Sequence, residues 1–311
     1  MGEITGTETV AYDGAEAVRA RVTMASGSLS VSGGAEALME GTFAYADPKW
    51  KPIVAYTVEN GLGVLKIKQP KIEGPHVGGP HYVWDLAMGN EAPLSFAVKL
   101  ASGSADLRMA DMRLSELDVK VASGDVKADL TGDLADLTQV SLKSASGHTS
   151  LVMDGTYPVL ETIDLGTASG PTDVTLAGDY PALRELEIGS ASGRMRVTLS
   201  GSYPALEQVS VKLASGSVDL DVAGLILPCG EISVACVSGK ATVTVPGDAA
   251  VAIRFSAVSG KLVAPGFHRE GKEYVNDAYT AAAAEAGAEG ALRLSMSTVS
   301  GKLVVQSPEE A

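Results

Sequence analysis

Ala191-Ser192-Gly193-Arg194-Met195-Arg196-Val197-Thr198-Leu199 is one copy of a pattern that recurs along the chain. Its centre, Ala-Ser-Gly or Val-Ser-Gly, places serine at 26, 32, 102, 123, 146, 169, 192, 215, 238, 259 and 300. From Ser123 to Ser238 the step is 23 residues five times running, with steps of 21 on either side. A fixed period of that size is the signature of a solenoid, whose coils bury their apolar faces only by stacking on one another.

After each repeat glycine the residues alternate. Met195, Val197 and Leu199 are apolar, as are Val218, Leu220, Val222 and Ala241, Val243, Val245. The run before each Ser-Gly alternates too, as in Leu117, Val119, Val121 and Val209, Val211, Leu213. Period two with β-branched residues reads as half-buried strand, so each coil of about 23 residues should carry two main strands of about six residues.

Two corners join the strands. One is the Ser-Gly ladder: Ser102-Gly103, Ser123-Gly124, Ser146-Gly147, Ser169-Gly170, Ser192-Gly193, Ser215-Gly216 and Ser238-Gly239. Glycine there can take a positive φ, and serine can bond nearby backbone. The other is Tyr-Pro at Tyr157, Tyr180 and Tyr203, again 23 apart. Stacked coils would lay these rings over one another, which reads as a corner stiffener rather than a ligand platform.

Leu183-Arg184-Glu185-Leu186-Glu187-Ile188 also fits the leucine-rich-repeat pattern. That fold needs a helix or loose arc in the other half of each repeat. Here that half is Arg196-Val197-Thr198-Leu199 or Thr242-Val243-Thr244-Val245, which is strand chemistry. The expectation is all-β, a parallel β-helix or β-roll. Stacking would make neighbours of Asp106 and Lys127, of Arg108 and Asp129, and of Arg196 between Asp173 and Asp219. Such cross-strand pairs disfavour slipped registers.

The 311 residues include 35 glycines and only 5% aromatics, which suits tight corners around a thin aliphatic core. A formal charge of −14 speaks against nucleic acid and anionic membrane surfaces, and favours a cationic partner. Cys229 and Cys236 fall on inward positions too far apart along a strand for a disulfide, so both read as buried free thiols. No run of 18 apolar residues exists, so no direct membrane insertion is expected. The opening residues lack a leader pattern, which leaves a cytosolic protein or one whose signal or anchor has been removed.

In chain order, residues 1–100 read as an N-terminal capping region, 101–265 as regular coils, and 266–311 as a capping insertion plus a last coil, all in one continuous solenoid. The step from Ser26 to Ser102 makes 34–100 a different unit. His76 and His81 lie in a Gly- and Pro-rich loop without a third ligand at metal spacing. Residues 280–290 contain an alanine run that fits a short helix, weakened by Gly287 and Gly290. Leu292 to Thr298 and Lys302 to Val305 should form the closing strand pair. No metal or other cofactor is expected.

The end segments carry a resemblance. Glu40-Gly41-Thr42-Phe43, Trp50-Lys51-Pro52 and Gly61-Leu62-Gly63-Val64-Leu65 resemble the N-terminal part of the toast-rack domains. Tyr274-Val275-Asn276-Asp277-Ala278-Tyr279 and Val299-Ser300-Gly301-Lys302-Leu303 are similar to that family's terminal coils, and the Ser-Gly corners to the "putative adhesin" group of β-strand repeats. The resemblance implies a right-handed parallel β-solenoid of the LiaF and LiaG type, outside the membrane, tied to bacterial cell-envelope stress or adhesion. It carries no catalytic residue onto this chain.

β-Helix enzymes acting on polysaccharides need clustered carboxylates and aromatic sugar platforms. Here the outward acids alternate with Lys, Arg and Thr, the repeated serines are corner residues, and the four histidines share no spacing. Asp219 and Asp221 could hold a calcium ion only with help from a neighbouring coil, and the adjacent coils offer Arg196 and Thr242 instead. The reading is therefore a non-catalytic, extracytoplasmic recognition or scaffold domain for a membrane sensor protein or cationic peptide. A self-assembling structural solenoid is the alternative, and a polysaccharide-active enzyme the distant one.

Overall fold

A computed structural model of the chain describes residues 3–71, 82–110, 112–226, 230–286 and 290–308. They form two compact units, Met1–Val152 and Met153–Ala311. Both are all-β and rich in parallel pairing, apart from a 3-10 turn at Pro48–Trp50 in the first and one short α-helix in the second.

In the first unit the strands are β1 (Ile4–Val10), β2 (Ala17–Gly33), β3 (Met39–Tyr45), β4 (Ile53–Glu59), β5 (Leu62–Lys68) and β6 (Val83–Met88). There follow β7 (Leu94–Arg108), β8 (Leu114–Ser123), β9 (Val126–Asp129), β10 (Gly132–Asp133), β11 (Gln139–Ser146) and β12 (Thr149–Thr156), the last of which carries the chain into the second unit. Successive repeats pair in parallel: β7 with β8 and β9, and these with β11 and β12. The register is one repeat, with Leu117 opposite Val140. Alternation turns this register into buried inward columns, such as Leu65, Ala20, Phe96, Leu117 and Val140.

The layers are not laid down in sequence order. β2 pairs on one side with β7, Ser26 and Gly27 facing Ser102 and Gly103. On its other side it pairs with β5 and β6. Residues 62–68 and 83–88, read from sequence as part of a different unit, thus make a full layer outside β2. Antiparallel strands then end the stack: β4 runs along β5, β3 along β6, and β1 along β3. Behind them Trp84 packs edge-on to Phe43 at 5.5 Å and to Tyr82 at 6.1 Å, all three buried, which hides the apolar end of the layers.

The second unit contains β13 (Thr162–Ser169), β14 (Thr172–Asp179), β15 (Glu185–Ser202), β16 (Gln208–Ile226), β17 (Glu231–Thr244), β18 (Val251–Ala257) and β19 (Lys261–Val263). It continues with β20 (Phe267–Glu270), β21 (Glu273–Asn276), α1 (Asp277–Ala286), β22 (Leu292–Thr298) and β23 (Lys302–Gln306). β13 and β14 pair with β15, β15 with β16, and β16 with β17, all in parallel. The end mirrors the first unit. β17 pairs with β22 and β23, which in turn pair with β18 and β19. The strand pair expected to close the molecule therefore lies one layer in, and residues 251–263 form the outer layer. Antiparallel β21 lines that layer, with β20 beyond it.

Strand length also differs from expectation. β15 runs for 18 residues and β16 for 19, through the Ser-Gly corner without a break. The corner keeps its own ladder pairing, Ser192 with Ser215 and Gly193 with Gly216, so the chain bends without leaving the sheet.

Candidate functional site

The corner glycines sit directly on one another. Gly216 has φ +114°, and a methyl built on it would run into the carbonyl oxygen of Gly193. The same holds for Gly103 over Gly27, Gly124 over Gly103 and Gly147 over Gly124 in the first unit, and for Gly193 over Gly170 and Gly239 over Gly216 in the second. Only glycine combines that φ with that approach. Beside them the serine hydroxyls donate to the alanine carbonyl one layer back: Ser146 to Ala122, Ser192 to Ala168, Ser215 to Ala191 and Ser238 to Ala214, at 3.2 to 3.4 Å. Ser102 and Ser123 face each other in register. The hydroxyls of Ser146, Ser192, Ser215 and Ser238 are thus held by the backbone of the neighbouring layer.

Tyr157, Tyr180 and Tyr203 are buried and stacked, with ring centroids 4.7 Å apart at each step. Their rings face inward and offer no platform to a ligand. The phenol of Tyr180 donates to the Met153 carbonyl, and that of Tyr203 to those of Leu176 and Ser200. Burial pushes both phenols well above their ordinary range. A second glycine ladder, Gly178 over Gly155 and Gly201 over Gly178, lies two residues before the tyrosines. Its 23-residue step, Gly155, Gly178 and Gly201, is legible in the sequence beside the Tyr-Pro pairs.

Just after the Tyr-Pro turns the chain re-enters the sheet through acidic residues. Glu161, Glu185, Glu207 and Glu231 line a groove of about 610 Å³ with Thr162, Gln208 and Arg184. Its floor is regular backbone, with Thr162 opposite Glu185, and Gln208 between Glu185 and Glu231. Four carboxylates against one guanidinium favour a cationic occupant. Among the described residues the lining holds neither His nor Cys.

Elsewhere the outward charges sit in the expected register, Asp106 opposite Lys127 and Arg108 opposite Asp129. The side-chain pairing differs for Arg108, which bonds Asp106 on its own strand. Arg196 does reach across to Asp173 at 3.2 Å. Asp221 accepts from the Ala223 backbone, and among the described residues no group of three His, Cys, Asp or Glu is placed to hold a metal. Cys236 is a buried free thiol whose pKa is raised by burial, whereas Cys229, His76 and His81 lie outside the described residues. Among the described residues no helix is long and apolar enough to cross a membrane.

The chain matches two family models. The model described as "N-terminal domain of toast_rack, DUF2154" matches residues 2–152, and "Toastrack DUF4097" matches residues 94–305. The chain belongs to the toast-rack family. It is similar to the crystal structure of a "putative cell adhesion protein" from Clostridium sporogenes, at 19% identity and TM-score 0.30, over 99% of this chain and 100% of that one. A "putative adhesin" from Parabacteroides distasonis is 14% identical with TM-score 0.44, over 99% and 97%. One from Parabacteroides merdae is 11% identical with TM-score 0.41, over 99% and 96%. At these identities none of them lends a function to this chain. No curated protein matches it.

Proposed function

We propose that this chain is a right-handed parallel β-solenoid, two main strands per coil, that works outside the membrane as a non-catalytic recognition or scaffold domain. Parallel strands joined by crossovers are right-handed in nearly all proteins, which supports the hand. The observation that carries the functional reading is the groove of Glu161, Glu185, Glu207 and Glu231 on a wall of buried ladders. A wall pinned by stacked glycines, serines and tyrosines holds its carboxylates one layer apart. That spacing suits a row of cationic side chains, from a basic peptide or a basic segment of a membrane sensor. Family membership supports a cell-envelope stress or adhesion setting.

The test is protease accessibility of the native gene product in intact cells. Digestion from outside, or after permeabilising an outer layer alone, supports the reading. Protection until the cytoplasmic membrane is lysed overturns it. A self-assembling module is the second reading, favoured by β4: among the described residues it pairs on one side only, and Ile53 is 55% exposed. Sedimentation of a monomer at high concentration removes that reading.

A further inference from the structure

The interleaving at the end of the second unit brings together three copies of Val-Ser-Gly-Lys that are not evenly spaced in the sequence. Lys240 faces Lys302, and Lys302 faces Lys261. The backbone confirms the order, since Ser300 donates to the Val237 carbonyl at 3.0 Å and Ser259 to that of Val299 at 2.8 Å. Val237, Val299 and Val258 therefore form a second column beside the lysines, 53%, 47% and 83% exposed. Three layers span about 10 Å.

Both columns break the habits of the same corner elsewhere. One and two layers further in, the valine position is Ala214 and then Ala191, and the lysine position is Ser217 and then Arg194. Nearby outward charges alternate in sign, Asp173 facing Arg196 and Arg196 facing Asp219. Three lysines on adjacent strands repel, which costs stability. None of the three has an ion-pair partner among the described residues. The outward positions two residues before the valines, Ala235, Ser297 and Ser256, bring no acid. Neither do Thr242, Val304 and Val263, two residues after the lysines.

We propose that this edge is a docking stripe for an anionic phospholipid surface. The lysines alone would fit any polyanion. The exposed valines beside them narrow the partner to one with an apolar layer beneath its anionic groups, as at the headgroup boundary of a bilayer. The formal charge of −14 opposes a general attraction to such surfaces, but charges more than about 8 Å away are largely screened at physiological salt, so the stripe acts as a local cationic site. This inference goes beyond the reading above and does not depend on it, because it concerns the purified protein.

The experiment is co-sedimentation of the purified full chain with phosphatidylcholine vesicles, with and without phosphatidylglycerol, across a range of salt. Binding to the anionic vesicles that weakens with salt, and little binding to the neutral ones, is expected. Reversing all three charges, Lys240→Glu, Lys261→Glu and Lys302→Glu, should lower partitioning on the order of 100-fold. Val258→Ser with Val299→Ser should lower it about 10-fold at unchanged charge. Both variants change exposed side chains only, and their thermal unfolding should match the parent's to within a few degrees. Equal binding to neutral vesicles, binding untouched by the lysine variant, or valine-independent binding to polyphosphate as tight as to vesicles would overturn the proposal. So would a lysine-dependent dimer formed in place of vesicle binding, which would assign the stripe to a second copy.

Discussion

The ring of Tyr203 lies 4.7 Å from that of Tyr180 and only 6° from parallel, while its hydroxyl donates to the Leu176 carbonyl one layer back at 2.9 Å. The ladder is thus apolar along its stack and hydrogen-bonded at its rim. Deprotonating a phenol would place a charge in the interior with a carbonyl oxygen as its neighbour. For that reason burial, and after it the other phenols of the ladder, raise both pKa values. Burial pushes Tyr82, in the first unit, up to about 12.

The pH dependence follows from the sign of these shifts. Folding favours the neutral phenols, so their contribution is intact below the free tyrosine value near 10 and is lost as the pH rises through the raised values. The fold should be insensitive to pH from about 8 to 10 and fail cooperatively at higher pH. Spectrophotometric titration checks this: phenolate absorbance from the ladder should rise together with loss of the β-sheet circular dichroism. A phenolate signal that saturates near pH 10 in a folded protein would contradict it.

Removing one hydroxyl differs from removing the ring. Tyr180→Phe keeps the stack but leaves the Met153 carbonyl without its 3.2 Å donor, a loss of about 1 kcal/mol. Tyr180→Ala opens a cavity between two aromatic neighbours and should cost about 3–5 kcal/mol. Urea unfolding midpoints of the two variants give the comparison.

A methyl group at the corner should be worse than its size implies. Gly216→Ala must adopt φ +114° and push against the Gly193 carbonyl, so a loss above about 3 kcal/mol is expected. Gly247→Ala serves as control, because its methyl would meet nothing within 4 Å, and it should stay within about 0.5 kcal/mol of the parent.

Asn276 ties the inserted segment to the outer layer. Its Oδ1 accepts from the Val251 and Tyr279 amides at 3.0 Å, and its Nδ2 donates to the Ala249 carbonyl at 2.8 Å. It therefore caps α1 and closes the edge of β18 together. Asn276→Ala should cost about 1–2 kcal/mol. Amide hydrogen exchange should quicken over residues 277–284 and at Val251, while β15 and β16 keep their protection.

Arg196→Ala should change stability by less than about 1 kcal/mol, despite the 3.2 Å pair with Asp173, because the Arg196 side chain is largely exposed and that of Asp173 partly so. A thermal shift of more than a few degrees would show that the outward charges do more than select the register.

How far the sequence speaks can be judged from particular residues. The 23-residue step puts Tyr157, Tyr180 and Tyr203, and likewise Ser192, Ser215 and Ser238, at equivalent points of successive layers. Alternation decides which side of each strand is buried, because side chains on a strand point to opposite faces by turns. The register of Arg108 with Asp129 follows from the neighbouring 21-residue step between Ser102 and Ser123. The partner of the Arg108 guanidinium does not, since an exposed flexible side chain chooses between nearby carboxylates by small differences that no repeat encodes. The acidic groove is not legible in the repeat, because its members occupy two offset positions, 161 and 207 in one and 185 and 231 in the other.

Period and alternation, both local or strictly repeating, were thus enough to determine an all-β, parallel-stacked chain with glycine and tyrosine corners, while its likeness to the toast-rack domains lay in the motifs of the end segments. The order of the layers at each end was decided only in three dimensions. Ser26 stacks on Ser102 with the layer of β5 and β6 outside it, and Val299 slots between Val237 and Val258. Backbone pairing is nearly indifferent to which residues it joins, so a strand can pair with any layer whose edge is open when the chain returns. What selects the partner is closure: the open backbone edge and the apolar end of the stack must both be covered, and only the folded arrangement shows which segment covers them.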